Sequence, residues 1–493
     1  MELIPILIYG IALLFIFCYS LIQIQLVIKY KRYQKQQKLR LAELSDVHFE
    51  PFVTVQLPLF NEKYVTERLI ECVAALDYPK DKLEIQVLDD STDETVEITK
   101  AKVEEIQKSG IDIIYLHRTD RSGYKAGALA EGTKIAKGDF IAIFDADFLP
   151  EKDFIKRMVQ PFQDEKVGMV QSRWEHINEH YSVLTKLQAF GLDAHFSVEQ
   201  GGRNAGHHFI NFNGTAGIWR KSAIADAGGW QSDTLTEDLD LSYRAQLKGW
   251  KFIFLEEVGT PAELPAVMNA LKTQQFRWNK GAAECVRKNL GKVLRSKDIG
   301  FGTKMNAIFH LMNSAVFICI IIVALLSIPM LNIKNNFEEY KTLFLVGSAF
   351  LITLPILALF YWTSMSRNYA SKSKAFFHFI FLFPMFLAVS MGLSLHNAMA
   401  VLEGYIGKKS AFIRTPKFNL SNDKSKNWGT NVYLRRKINP ITILEALFAA
   451  YFFGGILLGF HYEDYGLMPF HVMLFLGFGY VSFYSISHSF KTE

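Results

Sequence analysis

Phe140-Ile141-Ala142-Ile143-Phe144-Asp145-Ala146-Asp147 is the stretch on which the fold turns. An apolar run rich in Ile and Phe is followed at once by two acids with one small residue between them. The run predicts a buried strand. Period-2 geometry then sends Asp145 and Asp147 to the same side of an extended end. Two hard carboxylates there can hold Mg²⁺ or Mn²⁺ and, through it, a diphosphate. A solvated strand-to-loop turn reads the same way, so the motif is weak alone.

Outward from it, Val53–Leu57, Ile85–Leu88 and Ile113–Leu116 read as further strands. Residues 63–75, 93–108 and 125–137 have helical spacing between them. This alternation predicts right-handed βαβ units around a mainly parallel sheet. Ligands collect beyond the carboxyl ends of such strands, and acids stand there: Asp89 and Asp90 after the second strand, Asp145 and Asp147 after the fourth.

In Asp89-Asp90-Ser91-Thr92-Asp93 one leading Asp is a candidate to accept hydrogen bonds from a nucleotide's base or ribose. Ser91 or Thr92 would cap the following helix. Arg118 to Gly127 places Arg and Lys125 beside small residues at a helix start, where free N–H groups favour anions. A solvated basic loop is the alternative. Neither GxGxxG nor Walker spacing is present, so dinucleotide and P-loop sites are not supported. Phe212-Asn213-Gly214-Thr215-Ala216-Gly217 predicts a tight turn that allows close backbone approach by an acceptor sugar.

Thr236-Glu237-Asp238 opens the helical run Leu239–Leu247. Thr236 suits an N-cap, with the acids favoured by the helix dipole. A carboxylate held there is also placed to take a proton from a sugar hydroxyl. Local sequence favours the cap. Gln274-x-x-Arg277-Trp278 falls on a helix, with Gln274 and Trp278 on one face. Trp278 suits stacking on a sugar and Arg277 contact with phosphates; an interfacial anchor is the alternative.

The 493 residues are 50% hydrophobic and 21% charged, which suits a soluble module joined to membrane spans. Leu3–Ile28 is apolar, too long for a signal-peptide core, and reads as a span. The six Lys or Arg from Lys29 to Arg40 put its end in the cytosol. Because both basic stretches, this one and Lys408–Lys437, flank apolar segments, nucleic acid is not an expected partner. Further apolar segments fall at about 305–331, 342–362, 375–396, 441–460 and 467–486. If all crossed, the loop 397–440 with Lys408, Lys409, Arg414, Lys417, Arg435, Arg436 and Lys437 would lie outside, against the charge bias. With 375–396, which holds His378 and Pro384, re-entrant or interfacial, the conflict disappears. Five spans are therefore expected, with six as the alternative. The four cysteines, Cys18, Cys72, Cys285 and Cys319, show no metal or disulfide pattern.

The order of these motifs, more than any one of them, resembles the family-2 processive glycosyltransferases, which include cellulose, chitin and hyaluronan synthases. The nearest resemblance is to the cellulose synthase-like mannan and glucomannan synthases and their bacterial relatives. It rests on Gln56–Glu62, Gln86–Asp93, Gly123–Leu129, Phe212–Gly217 and Leu247–Lys251, over about 50–290. It implies an α/β GT-A (Rossmann-like) domain beside an α-helical transmembrane bundle, and inverting single displacement. It also implies donor binding by Asp89 or Asp90 with Lys125, Asp145 and Arg277. Metal falls to Asp145 and Asp147, and the general base to Asp238, with Glu237 beside it. Gly214, Thr215, Gln274 and Trp278 fall to the acceptor. Phe412-Ile413-Arg414-Thr415-Pro416-Lys417 resembles a cytosolic gating segment that closes over the donor. The spans are fewer than in cellulose synthase, and no regulatory domain is expected after Glu493.

The expected organisation is a span at 1–28, a basic cytosolic linker at 29–49 and a GT-A domain at 50–290. Interfacial and transmembrane helices follow at 291–396, a cytosolic loop at 397–440, and a hairpin of spans with a short tail at 441–493. The expected activity is a multi-pass hexosyltransferase of the plasma (inner) membrane with its catalytic domain in the cytosol. It would use Mg²⁺ or Mn²⁺ to move a hexose from GDP-mannose or UDP-glucose to a mannan, glucomannan or glucan. Transfer of one sugar to a lipid is the rival activity. A transporter should show repeated halves and midplane ionisable groups; no repeat is evident, and Glu445 is a scarce charge within an apolar run. A non-catalytic scaffold has little need of acids at strand ends.

Overall fold

The computed structural model describes residues 2–43, 49–421, 428–429, 431–434 and 439–490, with residues 35–43 described as backbone alone. The basic residues Arg435, Arg436 and Lys437 lie outside the described residues, as do the side chains of Lys35, Lys38 and Arg40.

Helix α1 runs Leu3–Glu43. The stretch expected as a linker therefore continues the helix to Glu43, because Lys29–Glu43 contains good helix formers and neither Gly nor Pro. Strands and helices then alternate: β1 Val53–Leu59, α2 Thr66–Ala74, β2 Leu83–Asp89, α3 Thr95–Lys108, β3 Ile113–His117, α4 Tyr124–Ile135 and β4 Phe140–Ile143. After the short α5 Phe154–Met158 come β5 Val167–His176, α6 Val183–Ala194 and α7 Gln200–Ala205. Then follow β6 Gly217–Arg220, α8 Lys221–Asp226, α9 Glu237–Leu247, β7 Lys251–Ala262 and the long α10 Met268–Arg295.

The seven strands form one sheet in the order β3-β2-β1-β4-β6-β5-β7. Pairs β2–β3, β1–β2 and β1–β4 are parallel, as the alternation requires; β6 runs antiparallel to both its neighbours, and β5–β7 is parallel again. Alternate residues of β4 feed two apolar layers. Phe140 and Ala142 join Val53, Val55 and Leu57 on one face, while Ile141 and Ile143 join Trp219, Phe212 and Leu241 on the other. Fully burying each such large side chain contributes about 1.5–3 kcal/mol, so a one-residue slip of β4 would also turn Asp145 and Asp147 away from their side.

The remaining helices are α11 Phe301–Leu311, α12 Ala315–Asn336, α13 Lys341–Gly347, α14 Thr353–Met365, α15 Lys372–Gly392, α16 Ser394–Ile406, α17 Pro440–His461 and α18 Met468–Phe490. Among the described residues, six segments are long and apolar enough to cross a membrane: Leu3–Gln34, Ala315–Asn336, Glu338–Asn368, Lys372–Gly392, Pro440–His461 and Met468–Phe490. Length does not set α15 apart, but its contacts do. Just before it, Arg367 pairs with Glu256 of β7 and bonds the Tyr30 hydroxyl at 2.6 Å. Just after it, the His396 ring lies 2.9 Å from the Lys272 carbonyl of α10. Both ends of α15 thus stay with the α/β module. The last turn of α12 meets instead the loop after α17, through Lys334 and Asp464 at 2.6 Å.

Candidate active site

A cavity of about 170 Å³ opens where β1, β2, β4, β5 and β7 end and β6 begins. It is lined by Asp90, Lys125, Asp145, Asp147, Gly214, Glu237, Asp238, Gln274, Arg277 and Trp278, together with Arg414, Thr415 and Lys417. Residues separated by more than three hundred positions in the chain meet here.

Two of the candidate residues stand behind this surface. Asp89 is fully buried, accepting hydrogen bonds from the Ser91 amide at 2.9 Å and the Tyr115 hydroxyl at 2.8 Å. Its neighbour Asp90 lines the cavity, gripped by the Arg118 guanidinium through two bonds of 2.7 and 2.6 Å. Thr215 is also fully buried, its hydroxyl accepting from the Asp145 amide at 2.9 Å. Both therefore hold a neighbour in place.

The expected caps differ. Ser91 accepts from the Asn61 amide at 2.8 Å, tying the loop after β1 to β2, and Asp93 takes the first free amide of α3, that of Thr95, at 3.0 Å. Thr236 makes no capping bond. Its side chain packs where Gly281 of α10 has no Cβ, with its hydroxyl 3.4 Å from the Cys285 sulfur. Tertiary packing has overridden the local preference. Asp240 secures the same contact, accepting from Arg244 on its own helix and from Lys288 and Asn289 of α10 at 2.8–2.9 Å.

Asp238 thus sits in the first turn of a helix fastened to the helix that carries Gln274, Arg277 and Trp278. Burial, reinforced by the charge of Glu237, pushes its carboxyl from 3.8 up to about 7. Burial raises Glu237 as well. Gly214 has φ +82°, and a Cβ there would lie 3.0 Å from Asp238 Oδ2. Lys125 donates to the Gly214 carbonyl at 2.8 Å and to Asp145. Burial works against its charge, but Asp145 and Glu237 outweigh it and hold the ammonium above its ordinary range.

Asp147 is 1% exposed. Its Oδ2 accepts from the Glu263 amide at 3.1 Å and faces Lys417 Nζ at 2.8 Å, whereas its Oδ1 has no partner among the described residues. Among those residues no group of three or more His, Cys, Asp or Glu side chains is gathered for a metal. A hard donor atom left over on Asp147, with Asp145 two residues away, fits Mg²⁺ or Mn²⁺, which binds through one or two carboxylates and otherwise takes water and phosphate oxygens.

The segment Phe412–Lys417 closes one side. Arg414 pairs with Glu62 at 2.8 Å, Thr415 accepts from Arg277 at 3.3 Å, and the Arg277 guanidinium lies 4.7 Å from the Phe412 ring centre. Glu263 anchors the continuation, accepting from the Phe418 amide at 2.8 Å. Burial lifts Glu62 and Glu263 each to about 7. Sequence reading gave no role to Glu62, to Glu263 or to Trp174, whose ring lies 6.4 Å from that of Trp278. Trp174 and Glu263 stand at or just past the ends of β5 and β7, so the strand-end rule that found the aspartates would have found them had those strands been recognised.

A second cavity, of about 210 Å³, adjoins the first and shares Leu192, Gln274 and Trp278 with it.

A sugar-nucleotide-dependent glycosyltransferase of GT-A fold, joined to membrane-type helices, is the class that this sheet and strand-end site define. Residues 51–281 match the model of the glycosyltransferase-like family 2. Glucomannan 4-beta-mannosyltransferase 1 of Oryza sativa subsp. japonica is 34% identical over 459 residues, covering 87% of this chain and 83% of that relative. Glucomannan 4-beta-mannosyltransferase 2 of Arabidopsis thaliana is 43% identical over 285 residues, 57% of this chain and 53% of its own. The chain thus spans about half the length of that relative. Among solved structures, the mannosyltransferase PcManGT from Pyrobaculum calidifontis, in complex with GDP-Man and Mn²⁺, superposes with a TM-score of 0.53 at 17% identity. The superposition covers 81% of this chain and all of that one, and shows the shared fold. The chain belongs to glycosyltransferase family 2 and is a cellulose synthase-like hexosyltransferase.

Proposed function

We propose that this protein transfers mannose from GDP-mannose, with inversion, to the end of a growing β-linked mannan or glucomannan at the cytosolic face of the plasma membrane. One observation carries the reading: Asp90, Asp145, Asp147 and Asp238 line one cavity together with Arg277 and Trp278. The relatives' names supply the sugar, and the neighbouring structure, with GDP-Man and Mn²⁺, favours the base and the ion.

In this mechanism Asp90, fixed by Arg118, orients the nucleoside. Asp145 and Asp147 would hold the divalent ion, which when bound offsets negative charge on the departing diphosphate. Lys125 and Arg277 supply fixed positive charge at the same place. Trp278 presents a flat face to the acceptor sugar. Asp238 takes the proton of the attacking hydroxyl, and its raised carboxyl suits it to release that proton near neutrality. Phe412–Lys417 shuts water out while Arg414 and Thr415 hold Glu62 and Arg277 in place.

The contacts of α15 support this sidedness. With α15 beginning and ending at the catalytic module, α1, α12, the segment with α14, α17 and α18 cross, and the basic loop after α16 stays with the module, as positive charge requires. The test is to incubate the purified protein with radiolabelled GDP-mannose or UDP-glucose, with Mg²⁺ or Mn²⁺, and to analyse product linkage. β-Linked mannose polymer is expected; a single glycolipid product, or no use of either donor, sinks the proposal.

A further inference from the structure

Between α6 and α7 the chain makes one π-helical turn, His195–Glu199, and this turn begins a charged row that the transfer mechanism leaves unused. Such turns insert an extra residue into a helix and are frequent at functional sites. Arg203 of α7 is 1% exposed and pairs with one Glu199 oxygen at 2.7 Å, while the other lies 2.8 Å from His195 Nδ1. Burial works against the Glu199 charge, but Arg203 and His195 outweigh it and hold the carboxyl well below its ordinary range. On the far side of the ring, His195 Nε2 stands 3.3 Å from Asn213 Oδ1. Asn213 lines the first cavity, and the row stands behind it. Asn211 fixes the sense of that last bond: its side-chain amide donates to the same Asn213 oxygen at 2.8 Å and to the Phe212 carbonyl at 3.3 Å. His195 therefore faces an acceptor on each side and donates from both ring nitrogens. Stability alone does not call for such a row, since apolar side chains of similar volume often serve as well as a buried ion pair.

We infer that His195, backed by Glu199 and Arg203, is a positioning residue for transfer: it holds the Asn213 amide, and with it the turn before β6, in place against Asp238. Gly214 follows Asn213 directly. Its carbonyl takes the Lys125 ammonium at 2.8 Å, and a Cβ on it would come within 3.0 Å of Asp238 Oδ2. Gln171 fixes the backbone of the turn, accepting from the Asn213 amide at 3.0 Å and donating to the Thr215 and Ala216 carbonyls at 3.1 and 3.0 Å. His195 and Asn211 fix the one amide side chain that the turn presents to the cavity. The row itself starts from a close helix contact, because a Cβ on Gly202 of α7 would meet the Leu26 carbonyl of α1 at 2.6 Å. The inference rests on the transfer reading above, and it adds what sets the geometry beside the base.

The test puts two amides in place of the ring, in the full chain in detergent. A Gln amide reaches as far as Nε2 and an Asn amide only as far as Nδ1, so His195→Gln keeps the bond to Asn213 and His195→Asn loses it. His195→Asn should lower kcat about tenfold, the effect of misplacement alone, with KM for GDP-mannose and Mn²⁺ affinity unchanged. His195→Gln should stay close to the wild type. Asn213→Ala should match His195→Asn, and the double variant should lose no more than Asn213→Ala alone, because both remove the same interaction. Hydrogen exchange gives a reading independent of turnover: residues 211–217 should exchange faster in His195→Asn than in the wild type or His195→Gln, at an unchanged melting temperature. Equal kcat in the two amide variants, multiplied losses in the double variant, or unaltered exchange in His195→Asn overturns the inference while leaving the transfer reading intact. If His195→Asn fails to fold, Asn213→Ala, which leaves the charged row whole, is read in its place, and unchanged kcat there overturns the inference. If the wild type uses neither GDP-mannose nor UDP-glucose, the transfer reading fails. Exchange then decides: acceleration confined to the turn supports the hold of His195 on it, and no acceleration overturns it.

Discussion

The two adjoining cavities are built on opposite electrostatic plans. Around the first, charges are matched to one another: Lys125 with Asp145, Lys417 with Asp147, Arg414 with Glu62 and Arg118 with Asp90. Around the second, neutral amides stand among aromatic rings, and both polar atoms of Asn397 and the amide oxygen of Gln188 have no partner among the described residues. A buried charge is tolerable only when paired, so the first cavity suits a ligand that brings charges of both signs and lets each pair exchange partners. A divalent ion with a nucleoside diphosphate does this. A neutral amide can stand without a partner at smaller cost.

The comparison breaks most sharply at Asp238, which lines the first cavity alone. Asp238→Asn should lower transfer by about 10³-fold or more, the upper part of what a general base contributes, while GDP binding measured calorimetrically is retained. Full turnover in that variant would remove Asp238 from the chemistry. Asp147→Asn should cost transfer on the order of 10²–10³-fold and weaken Mn²⁺ binding, read by electron paramagnetic resonance. A chelator should reproduce the loss of transfer in the wild type, and added Mn²⁺ should restore it.

Gly214→Ala forces a side chain into left-handed backbone against Asp238 Oδ2. The strain, about 1–3 kcal/mol, should appear as roughly a tenfold fall in kcat/KM, with donor affinity nearly unchanged. A neutral outcome would mean that the turn relaxes freely.

The gentlest probe is pH. Asp238 must be charged to accept a proton, and burial with the neighbouring Glu237 places its carboxyl at about 7. kcat/KM should therefore rise about tenfold per unit up to pH 7 and level above it. The stability contribution has the opposite sign. The folded value lies above the unfolded one, so the contribution is full below about pH 4 and is lost as pH rises through 7. Asp238→Asn should flatten that part of the melting-temperature profile.

Much of the catalytic half was legible in the chain. All four strands and three helices expected between Val53 and Phe144 form within a few residues of their expected ends, because alternating and 3.6-residue apolar patterns are local properties. The last three strands, β5 to β7, were not recognised. Their partners are distant in sequence, and β6 pairs antiparallel where β4 ends its parallel run. With them went Trp174 and Glu263. The expected caps at Ser91, Thr92 and Thr236 failed for a related reason: those hydroxyls or side chains meet the loop after β1 or α10, neither of which falls in their local window.

By itself, then, the order of residues determined which side chains carry chemistry, which segments are apolar enough for a bilayer, and that the acids end their strands. Folding in three dimensions decided which of two adjacent acids faces the cavity, that Lys417 reaches Asp147 across 270 positions (417 minus 147), and that Gln188 and Asn397 share one wall. Periodicity and composition act over a few residues, whereas burial and pairing depend on whatever the rest of the chain brings alongside.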